Sequence, residues 1–285
     1  MLTYSNLCNQ YRLDSEFRSS LQCFSYFLAI SLVLIWLPYF LCLPISAICF
    51  YILYNKTTKL GLKHAFTMQA AFLGWTTGSS ALLFFILNRP SFSTFFAYSF
   101  ILSVFHFSEF VFTAITNRRS LQPDSFLLNH SHAYWIAAIS SWFEFFLEAY
   151  YVPAVKGGWV CFLGFLLCCL GEFIRKSAMV QAGVGFTHKL AMRKREDHVL
   201  VVTGVYAWMR HPGYCGWFLW SVGTQLILCN PFCALAYAYV SWKFFHDRIF
   251  EEERDLIQFF GQDYMEYQDK VCSGVPFVTG YLLTT

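Results

Sequence analysis

The sequence predicts an all-α polytopic membrane protein with about eight transmembrane helices, four of which form two helical hairpins. Of its 285 residues, 57% are hydrophobic and only 13% are charged, whereas a soluble domain has about 25% charged residues. Its 33 Phe and nine Trp exceed what one soluble core of this length can enclose. Long apolar runs joined by polar loops, with basic residues concentrated in alternate loops, complete the pattern of a multi-pass protein.

Composition also excludes several other classes of protein. A net charge of +3 with few clustered basic residues is not the footprint of a nucleic-acid-binding protein. The eleven Cys are scattered, mostly within apolar runs, and show no metal-ligand spacing with His. We therefore interpret them as small hydrophobic residues and predict no metal site. The first 20 residues are polar and contain Asp14 and Glu16, which predicts an uncleaved first segment rather than a signal peptide.

The apolar runs give the helices in order, because a helix needs roughly 20 apolar residues to cross a bilayer. Run 23–54 is longer than one crossing and contains Pro38 and Pro44, and run 214–249 is interrupted at Asn230-Pro231. Proline removes a backbone donor and disfavours helix at the preceding residue, so each long run is expected to form a hairpin of two helices. The runs of single-span length lie at about 64–87, 92–116, 132–154 and 159–180.

The loop charges support this count. With a cytosolic N-terminus, eight spans leave only Arg89 and Lys156 on the side opposite the other loop cations, as the positive-inside rule requires. Six spans, the alternative with both long runs unbroken, would place the polar clusters around Arg210 and Arg248 on opposite sides of the membrane. We also expect a single domain over residues 1–285, with N-terminal helices in 1–120 and a catalytic region in 121–285. The cytosolic loop cations would be Lys56, Lys59, Lys63, Arg118, Arg119, Lys189, Arg193, Lys194, Arg195 and Arg210.

Ionisable residues within the apolar runs occur in pairs, and such residues often mark function because they are costly in a membrane. Internal pairing that locks helices together is the favoured interpretation for two of the three pairs. For Glu172 and Arg175, near the cytosolic end beside the polar loop 182–210, structural and functional roles are equally open. The pairs, three or four residues apart and so on one helix face, are His106 with Glu109, Glu144 with Glu148, and Glu172 with Arg175.

The densest polar clusters stand at the two ends of the last apolar run. The segment Arg210-His211-Pro212-Gly213-Tyr214 begins it, and Arg248 and Glu252 share a helix face near its end. Taken alone, Arg248 and Glu252 would form a solvated salt bridge that contributes little to the stability of the fold. Across a hairpin the two groups meet, and they offer cations for an anion, carboxylates for a cation or for hydroxyl groups, and an aromatic ring. Such a set suits a charged, amphiphilic small molecule at a membrane surface.

At these residues the sequence resembles the isoprenylcysteine carboxyl methyltransferases, endoplasmic-reticulum membrane enzymes that methylate the C-terminal prenylcysteine of CaaX-processed proteins. The resemblance covers most of the chain from about residue 120 to 280, and the whole series of motifs in order is highly specific. The motifs are Leu128-Asn129-His130-Ser131, Ser140-Ser141-Trp142-Phe143-Glu144-Phe145, Gly171-Glu172-Phe173-Ile174-Arg175-Lys176, Thr203-Gly204-Val205-Tyr206-Ala207-Trp208, Arg210-His211-Pro212-Gly213-Tyr214, Gly223-Thr224-Gln225, Phe259-Phe260-Gly261 and Tyr264.

The resemblance implies a binding site for S-adenosyl-L-methionine on the cytosolic side, closed by the long polar loop and the last hairpin. It implies that Arg248 holds the substrate carboxylate. From its depth and polarity we add Arg175 as a second, supporting cation, and we assign its neighbour Glu172 to substrate binding. The cofactor-binding residues implied by the resemblance are Ala191, His198, Val199, Leu200, Val201, Tyr206, His211, Pro212, Gly213, Tyr214 and Glu252.

The implied partners are proteins with a farnesylated or geranylgeranylated C-terminal cysteine, such as small GTPases, together with membrane lipid. The implied location is the endoplasmic reticulum membrane, with both termini cytosolic. A carboxylate is already anionic at neutral pH, so the reaction needs no general base. Two alternatives stay open: an NADPH-dependent membrane sterol reductase, a class that is usually longer with more spans, and a non-enzymatic transporter or scaffold, which would be expected to show paired repeats.

Overall fold

The computed structural model describes residues 15–34, 36–37, 39–87, 89–128, 131–188 and 199–282. Long apolar helices dominate these ranges, and short 3-10 turns connect several of them. Within the described ranges the α-helices are α1 (Ser15–Leu34), α2 (Tyr39–Thr57), α3 (Leu62–Ile86), α4 (Pro90–Thr116), α5 (His132–Tyr151), α6 (Gly158–Ala182), α7 (Pro212–Ile227), α8 (Pro231–Phe260) and α9 (Gln262–Lys270).

Both long apolar runs are divided into two helices, as the prolines predict. The first divides between Leu34 and Tyr39; Pro38 lies outside the described residues, and Pro44 lies inside α2 rather than in the turn. The second divides between Ile227 and Pro231, with Pro231 in the first turn of α8. Proline is tolerated in a first turn because its missing N–H would have no partner there.

Among the described residues, three helices are long and apolar enough to cross a membrane by length and composition: Ser15–Leu34, Ser91–Thr116 and Gly158–Gly185. Helix α7, in contrast, has only 16 residues, which at 1.5 Å per residue spans roughly 24 Å and so less than a typical hydrocarbon core. The number of crossings therefore stays a prediction, whereas the division of the chain into helices is a feature of the structure.

Helices α6 and α7 approach each other through paired glycines. A Cβ atom built on Gly171 would lie 2.5 Å from the carbonyl oxygen of Gly216, and one on Gly216 would lie 2.5 Å from the carbonyl oxygen of Gly171. One heptad away, Gly164 and Gly223 face each other in the same way. Small residues allow membrane helices to pack backbone against backbone, so these four glycines set the separation of α6 and α7.

Gly216→Ala should lower the melting temperature of the detergent-solubilised protein by at least about 2 °C, because overpacking costs roughly 1–3 kcal/mol and each kcal/mol is worth about 2 °C or more in a chain of this size. Fluorescence-monitored thermal unfolding would measure it. Gly185→Ala is the matched control, since a Cβ there meets nothing within 4 Å. Equal melting temperatures for the two variants would show that the close approach is not required.

Charged side chains hold the turn of the α7–α8 hairpin, between Ile227 and Pro231. The carboxylate of Glu144 in α5 accepts hydrogen bonds from the backbone N–H groups of Phe232 (2.8 Å) and Cys233 (2.7 Å) in the first turn of α8. Glu148 pairs with Lys156 at 2.6 Å. The Lys156 ammonium also donates to the carbonyl oxygens of residues 228 and 229 at the end of α7. These contacts satisfy helix-end groups that would otherwise lack partners.

His106 and Glu109, predicted to share a face and pair, instead bind different parts of the chain. The ring of His106 lies 2.8 Å from the carbonyl oxygen of Phe126 and 2.8 Å from the hydroxyl of Tyr134. Glu109 is fully buried and turns to α6, where its partner is Arg175. Glu109 therefore joins α4 to α6, and His106 joins α4 to Phe126 and to Tyr134 of α5. The expected pairing within one turn of α4 is replaced by contacts with other elements.

Candidate active site

The two polar clusters of the last apolar run meet at one end of the hairpin. Tyr214, in the first turn of α7, accepts a hydrogen bond from Nε of Arg248 at 3.2 Å through its hydroxyl oxygen. The guanidinium Nε of Arg210 lies 2.8 Å from the carboxylate of Glu253. The hairpin therefore brings residues about 40 positions apart into direct contact, which contradicts the alternative of an unbroken last apolar run that separates them.

The first cavity at this end contains most of the residues predicted to bind a cofactor. Tyr206 comes from the 3-10 turn Gly204–Ala207, the His211–Tyr214 segment from the start of α7, and Glu252 from α8. The cavity has a volume of about 110 Å³. The cavity is lined by Ala182, Gly185, Phe186, Thr187, Tyr206, Arg210, His211, Pro212, Gly213, Tyr214, Glu252, Asp255, Leu256 and Phe259.

Other predicted members of this set lie elsewhere. Val199, Leu200 and Val201 are described, but they are not part of the cavity lining, and the side chain of Val199 is 72% exposed. Ala191 and His198 lie outside the described residues. The assignment of these five residues to a cofactor stays a prediction. In the part of the chain that the structure describes, no cluster of His, Cys, Asp and Glu is arranged to hold a metal ion.

The polar groups of the first cavity favour a ligand that donates hydrogen bonds. Oε2 of Glu252 is buried and has no hydrogen-bond partner within 3.5 Å among the described residues; Nδ1 of His211 lies 3.8 Å away, and the Tyr214 phenol interacts with the same carboxylate. A buried carboxylate oxygen without a donor is costly, so this atom marks a place for a ligand N–H, O–H or positive charge. Burial, together with the negative charge of Glu252, raises the pKa of Tyr206 above its ordinary value, so this phenol stays protonated at neutral pH.

A second cavity adjoins the first and contains the predicted substrate cation. Arg248 donates a hydrogen bond through Nη2 to the carbonyl oxygen of His188 at 2.7 Å. Trp217, Phe244 and Phe245 supply an apolar wall. Three residues line both cavities: Phe186, Thr187 and Tyr214. The first cavity, with the Glu252 carboxylate, and the second cavity, with the Arg248 guanidinium, therefore share one boundary. The second cavity is lined by Arg175, Phe186, Thr187, His188, Tyr214, Trp217, Phe244, Phe245 and Arg248.

The predicted pairing of Arg175 with Glu172 is wrong. Arg175 is 2% exposed and forms a bidentate ion pair with Glu109 of α4, with Nε–Oε1 at 2.6 Å and Nη2–Oε2 at 2.8 Å. Its Nη1 donates to the carbonyl oxygen of Gly213 at 3.0 Å. The physical reason is burial, because two-pronged pairing with a fully buried carboxylate satisfies the guanidinium better than a single contact at the helix surface. Arg175 thereby supports the backbone between the two cavities.

Glu172 is not brought to either cavity. It contacts Lys176 at 3.4 Å and the hydroxyl of Ser108 at 3.4 Å. It lines a separate groove on the outer face of α6 together with Phe112 and Phe173. Its assignment to substrate binding stays a prediction, and the position of its side chain gives that prediction no support.

Sequence reasoning missed several residues of the first cavity. Asp255, Leu256 and Phe259 lie three, four and seven residues after Glu252 on α8, which is the spacing of one helix face, so helical periodicity could have found them. The residues at the end of α6 and just beyond, among them Phe186 and Thr187, carry no such signal because they follow the helix as irregular chain.

Fold and site together define a polytopic helical membrane protein with two adjoining polar cavities at one end of its last hairpin. The family model "Isoprenylcysteine carboxyl methyltransferase (ICMT) family" matches residues 163–258. The protein-S-isoprenylcysteine O-methyltransferase of Homo sapiens is 48% identical over 219 residues, covering 76% of each chain. That of Saccharomyces cerevisiae is 41% identical over 222 residues, covering 75% of this chain and 92% of the yeast chain.

A solved structure supports the same relationship. The structure of "the eukaryotic intramembrane Ras methyltransferase ICMT" matches with a TM-score of 0.89 and 39% sequence identity, covering 94% of this chain and 99% of that one. The chain belongs to the isoprenylcysteine carboxyl methyltransferase family. The resemblance found in the sequence is confirmed, as is the all-helical, multi-pass membrane fold.

Proposed function

We propose that this protein transfers a methyl group from S-adenosyl-L-methionine to the C-terminal carboxylate of prenylated cysteine in CaaX-processed proteins, small GTPases among them. The observation that carries the proposal is the shared boundary of the two cavities: an arginine-lined pocket with an aromatic wall adjoins a pocket with an unpartnered buried carboxylate oxygen. An anionic, lipid-modified acceptor suits the second cavity, which Arg248 lines, and a cationic, hydroxyl-bearing donor suits the first cavity, which Glu252 lines.

The residues of the first cavity fit the cofactor. S-adenosylmethionine supplies, when bound, a methyl group on a positively charged sulfur that a carboxylate can attack directly. Glu252 would meet its amino or hydroxyl groups, because Oε2 lacks a donor among the described residues. Tyr206 and the segment His211–Tyr214 would enclose it, and Ala191 with 198–201 would complete the site as the family resemblance implies.

Arg248 would position the substrate carboxylate. Its Nε and Nη2 are held by Tyr214 and by the carbonyl of His188, so the guanidinium has a fixed orientation before substrate arrives. Positioning of reacting groups can supply several kcal/mol toward a reaction without acid–base chemistry. The aromatic wall of Trp217, Phe244 and Phe245 would take the lipid chain and exclude water from the carboxylate.

The proposal includes a location and a topology. The positive-inside rule, applied to the basic loops, supports a site on the cytosolic side; we infer that both termini are cytosolic and that the chain crosses the endoplasmic reticulum membrane about eight times as a single domain. The prenyl chain would enter from the lipid, and the protein attached to it would remain in the cytosol.

Purified protein with isotopically labelled S-adenosylmethionine and N-acetyl-farnesylcysteine tests the proposed reaction. Base-labile label on the farnesylated compound, and none on the same compound without its prenyl group, is the expected result. Folded protein that transfers nothing and is stabilised by NADPH rather than by S-adenosylhomocysteine would favour a reductase, since only a ligand of the native state raises the melting temperature.

Glu252→Ala should raise the KM for S-adenosylmethionine by about ten-fold or more, because hydrogen bonds to a charged group contribute roughly 1.5–3 kcal/mol. It should also reduce the thermal stabilisation by S-adenosylhomocysteine. Glu251→Ala is the matched control, since Glu251 is exposed and lines neither cavity. An unchanged KM in Glu252→Ala would remove this residue from the cofactor site.

A further inference from the structure

The carboxylate of Glu253, next to Glu252 on α8, is a meeting point for five donors. It is fully buried. Burial alone would raise the pKa of Glu253, but hydrogen bonding to His211 and the charge of Arg210 hold it below its ordinary value. The donors are Arg210 Nε at 2.8 Å, His211 Nε2 at 2.9 Å, the Tyr264 hydroxyl at 3.2 Å, Gln268 Nε2 at 2.8 Å and the backbone N–H of Tyr281 at 3.0 Å.

These donors come from two separate parts of the chain. Arg210 and His211 begin the segment that lines the first cavity. Tyr264 and Gln268 belong to α9, and Tyr281 belongs to the segment that follows it. One buried charge therefore joins the cavity lining to the C-terminal segment 262–282, although no residue of that segment lines either cavity.

The backbone makes the same connection a second time. The N–H groups of Arg210 and His211 donate to the carbonyl oxygens of Cys272 (2.9 Å) and Ser273 (3.0 Å). The guanidinium of Arg210 also donates to the carbonyl oxygen of Thr279 at 2.8 Å, and further to those of residues 268 and 271. The C-terminal segment thus binds the backbone N–H groups of both residues that precede α7, and its carbonyl oxygens accept from the Arg210 guanidinium.

Apolar packing holds the C-terminal segment against α8. Val275 and Val278 are buried in a cluster with Phe245 and Ile249, and the indole N–H of Trp242 donates to the carbonyl oxygen of residue 276 at 2.8 Å. Phe245 lines the second cavity. The C-terminal segment therefore packs against Phe245, which lines the second cavity. Its polar contacts are with Arg210 and His211, which line the first cavity.

Gly280 shows how closely the segment is fitted. Its φ is +88°, and a Cβ atom built on it would overlap the carboxylate of Glu253. An L side chain at this position would carry both backbone strain and a clash with the buried carboxylate.

We propose that Glu253 and the C-terminal segment 262–282 position the cofactor-binding segment Arg210–Tyr214, so that they govern cofactor affinity without touching the cofactor. His211 carries the effect. Its Nε2 is held by Glu253, which directs Nδ1 toward Glu252 in the cavity. This inference rests on the proposed methyl transfer and adds positioning residues to it.

Full-length Glu253→Gln and Gly280→Ala proteins would be assayed for kcat and for the KM of both substrates. We expect the KM for S-adenosylmethionine to rise by about ten-fold or more, because a partner is lost from a buried charge network. The KM for N-acetyl-farnesylcysteine should stay within about two-fold. Gly61→Ala is the matched control: its φ is also positive, at +57°, but a Cβ there meets nothing within 4 Å.

The outcomes separate this inference from the proposed function. A wild-type protein that transfers no methyl group would sink the proposed function itself. An active wild type with an unchanged cofactor KM in Gly280→Ala would overturn the positioning role alone, and so would an equal rise in both KM values. If Glu253→Gln does not fold, Gly280→Ala decides the question, because it disturbs the Glu253 carboxylate without removing any charged side chain.

Discussion

Arg248→Ala should lower the rate of methyl transfer at least about a hundred-fold while leaving S-adenosylhomocysteine binding close to that of the wild type. Removing one preorganised donor from an active site typically costs that much or more. Within the second cavity, Arg175 cannot substitute, because Glu109 and the Gly213 carbonyl already engage its guanidinium. Initial rates with labelled cofactor would measure the first effect, and the melting-temperature shift with S-adenosylhomocysteine would measure the second.

Lys243→Ala is the control for Arg248→Ala, since Lys243 lies on the same helix, lines neither cavity, and forms an ion pair with Asp247 in which both side chains are about half-exposed. It should retain nearly full activity, as expected for an exposed ion pair. If Arg248→Ala instead lost its response to S-adenosylhomocysteine and kept its affinity for the prenylated compound, the two cavities would have the reverse assignment.

Glu109→Gln should lower the melting temperature by more than about 6 °C, which corresponds to the roughly 3–5 kcal/mol lost when one partner of a buried ion pair is removed. Glu109 is the shared partner of Arg175 and Lys176, both of which are buried. Its loss would leave the buried Arg175 without its counter-charge and Lys176 with only the longer contact to Glu172. Thermal unfolding in detergent, without ligand, is the measurement.

Glu172→Gln is the matched control for this loss, because Glu172 contacts the same Lys176 but at 3.4 Å and with 22% of its side chain exposed. It should change the melting temperature by no more than about 2 °C, as expected for a partly solvated pair. Similar losses in Glu109→Gln and Glu172→Gln would mean that the buried network is not what stabilises the contact between α4 and α6.

Local sequence patterns predict much of the helical division of the chain and many residues of the first cavity. Pro231 marks the turn of the last hairpin because proline cannot continue a helix without loss of a hydrogen bond. Once the hairpin is assumed, the residues around Arg210 and Arg248 must lie at the same end. The members of the first cavity on α7 and α8 follow from that topology, together with the family resemblance.

Long-range pairing could not be predicted in the same way. Glu109 and Arg175 are 66 positions apart, and helical spacing reports only on neighbours along one helix. The sequence therefore suggested Glu172 as the partner of Arg175, since it is the nearest carboxylate on that helix face. The contacts of Glu253 with α9 and Tyr281 are of the same kind, since nothing local in a mixed polar tail shows which buried charge it will meet.

The paired glycines of α6 and α7 have a mechanical consequence. Backbones in direct contact cannot slide or rotate past each other without collision, since packed interfaces are not continuously deformable. Arg175 lies on α6 and Gly213 lies on α7, so these two residues should keep a constant separation while other parts of the site move. Any widening of the second cavity must therefore come from displacement of α8 or of residues 186–188, and spectroscopic distance labels on α8 should report it while labels on α6 and α7 stay constant.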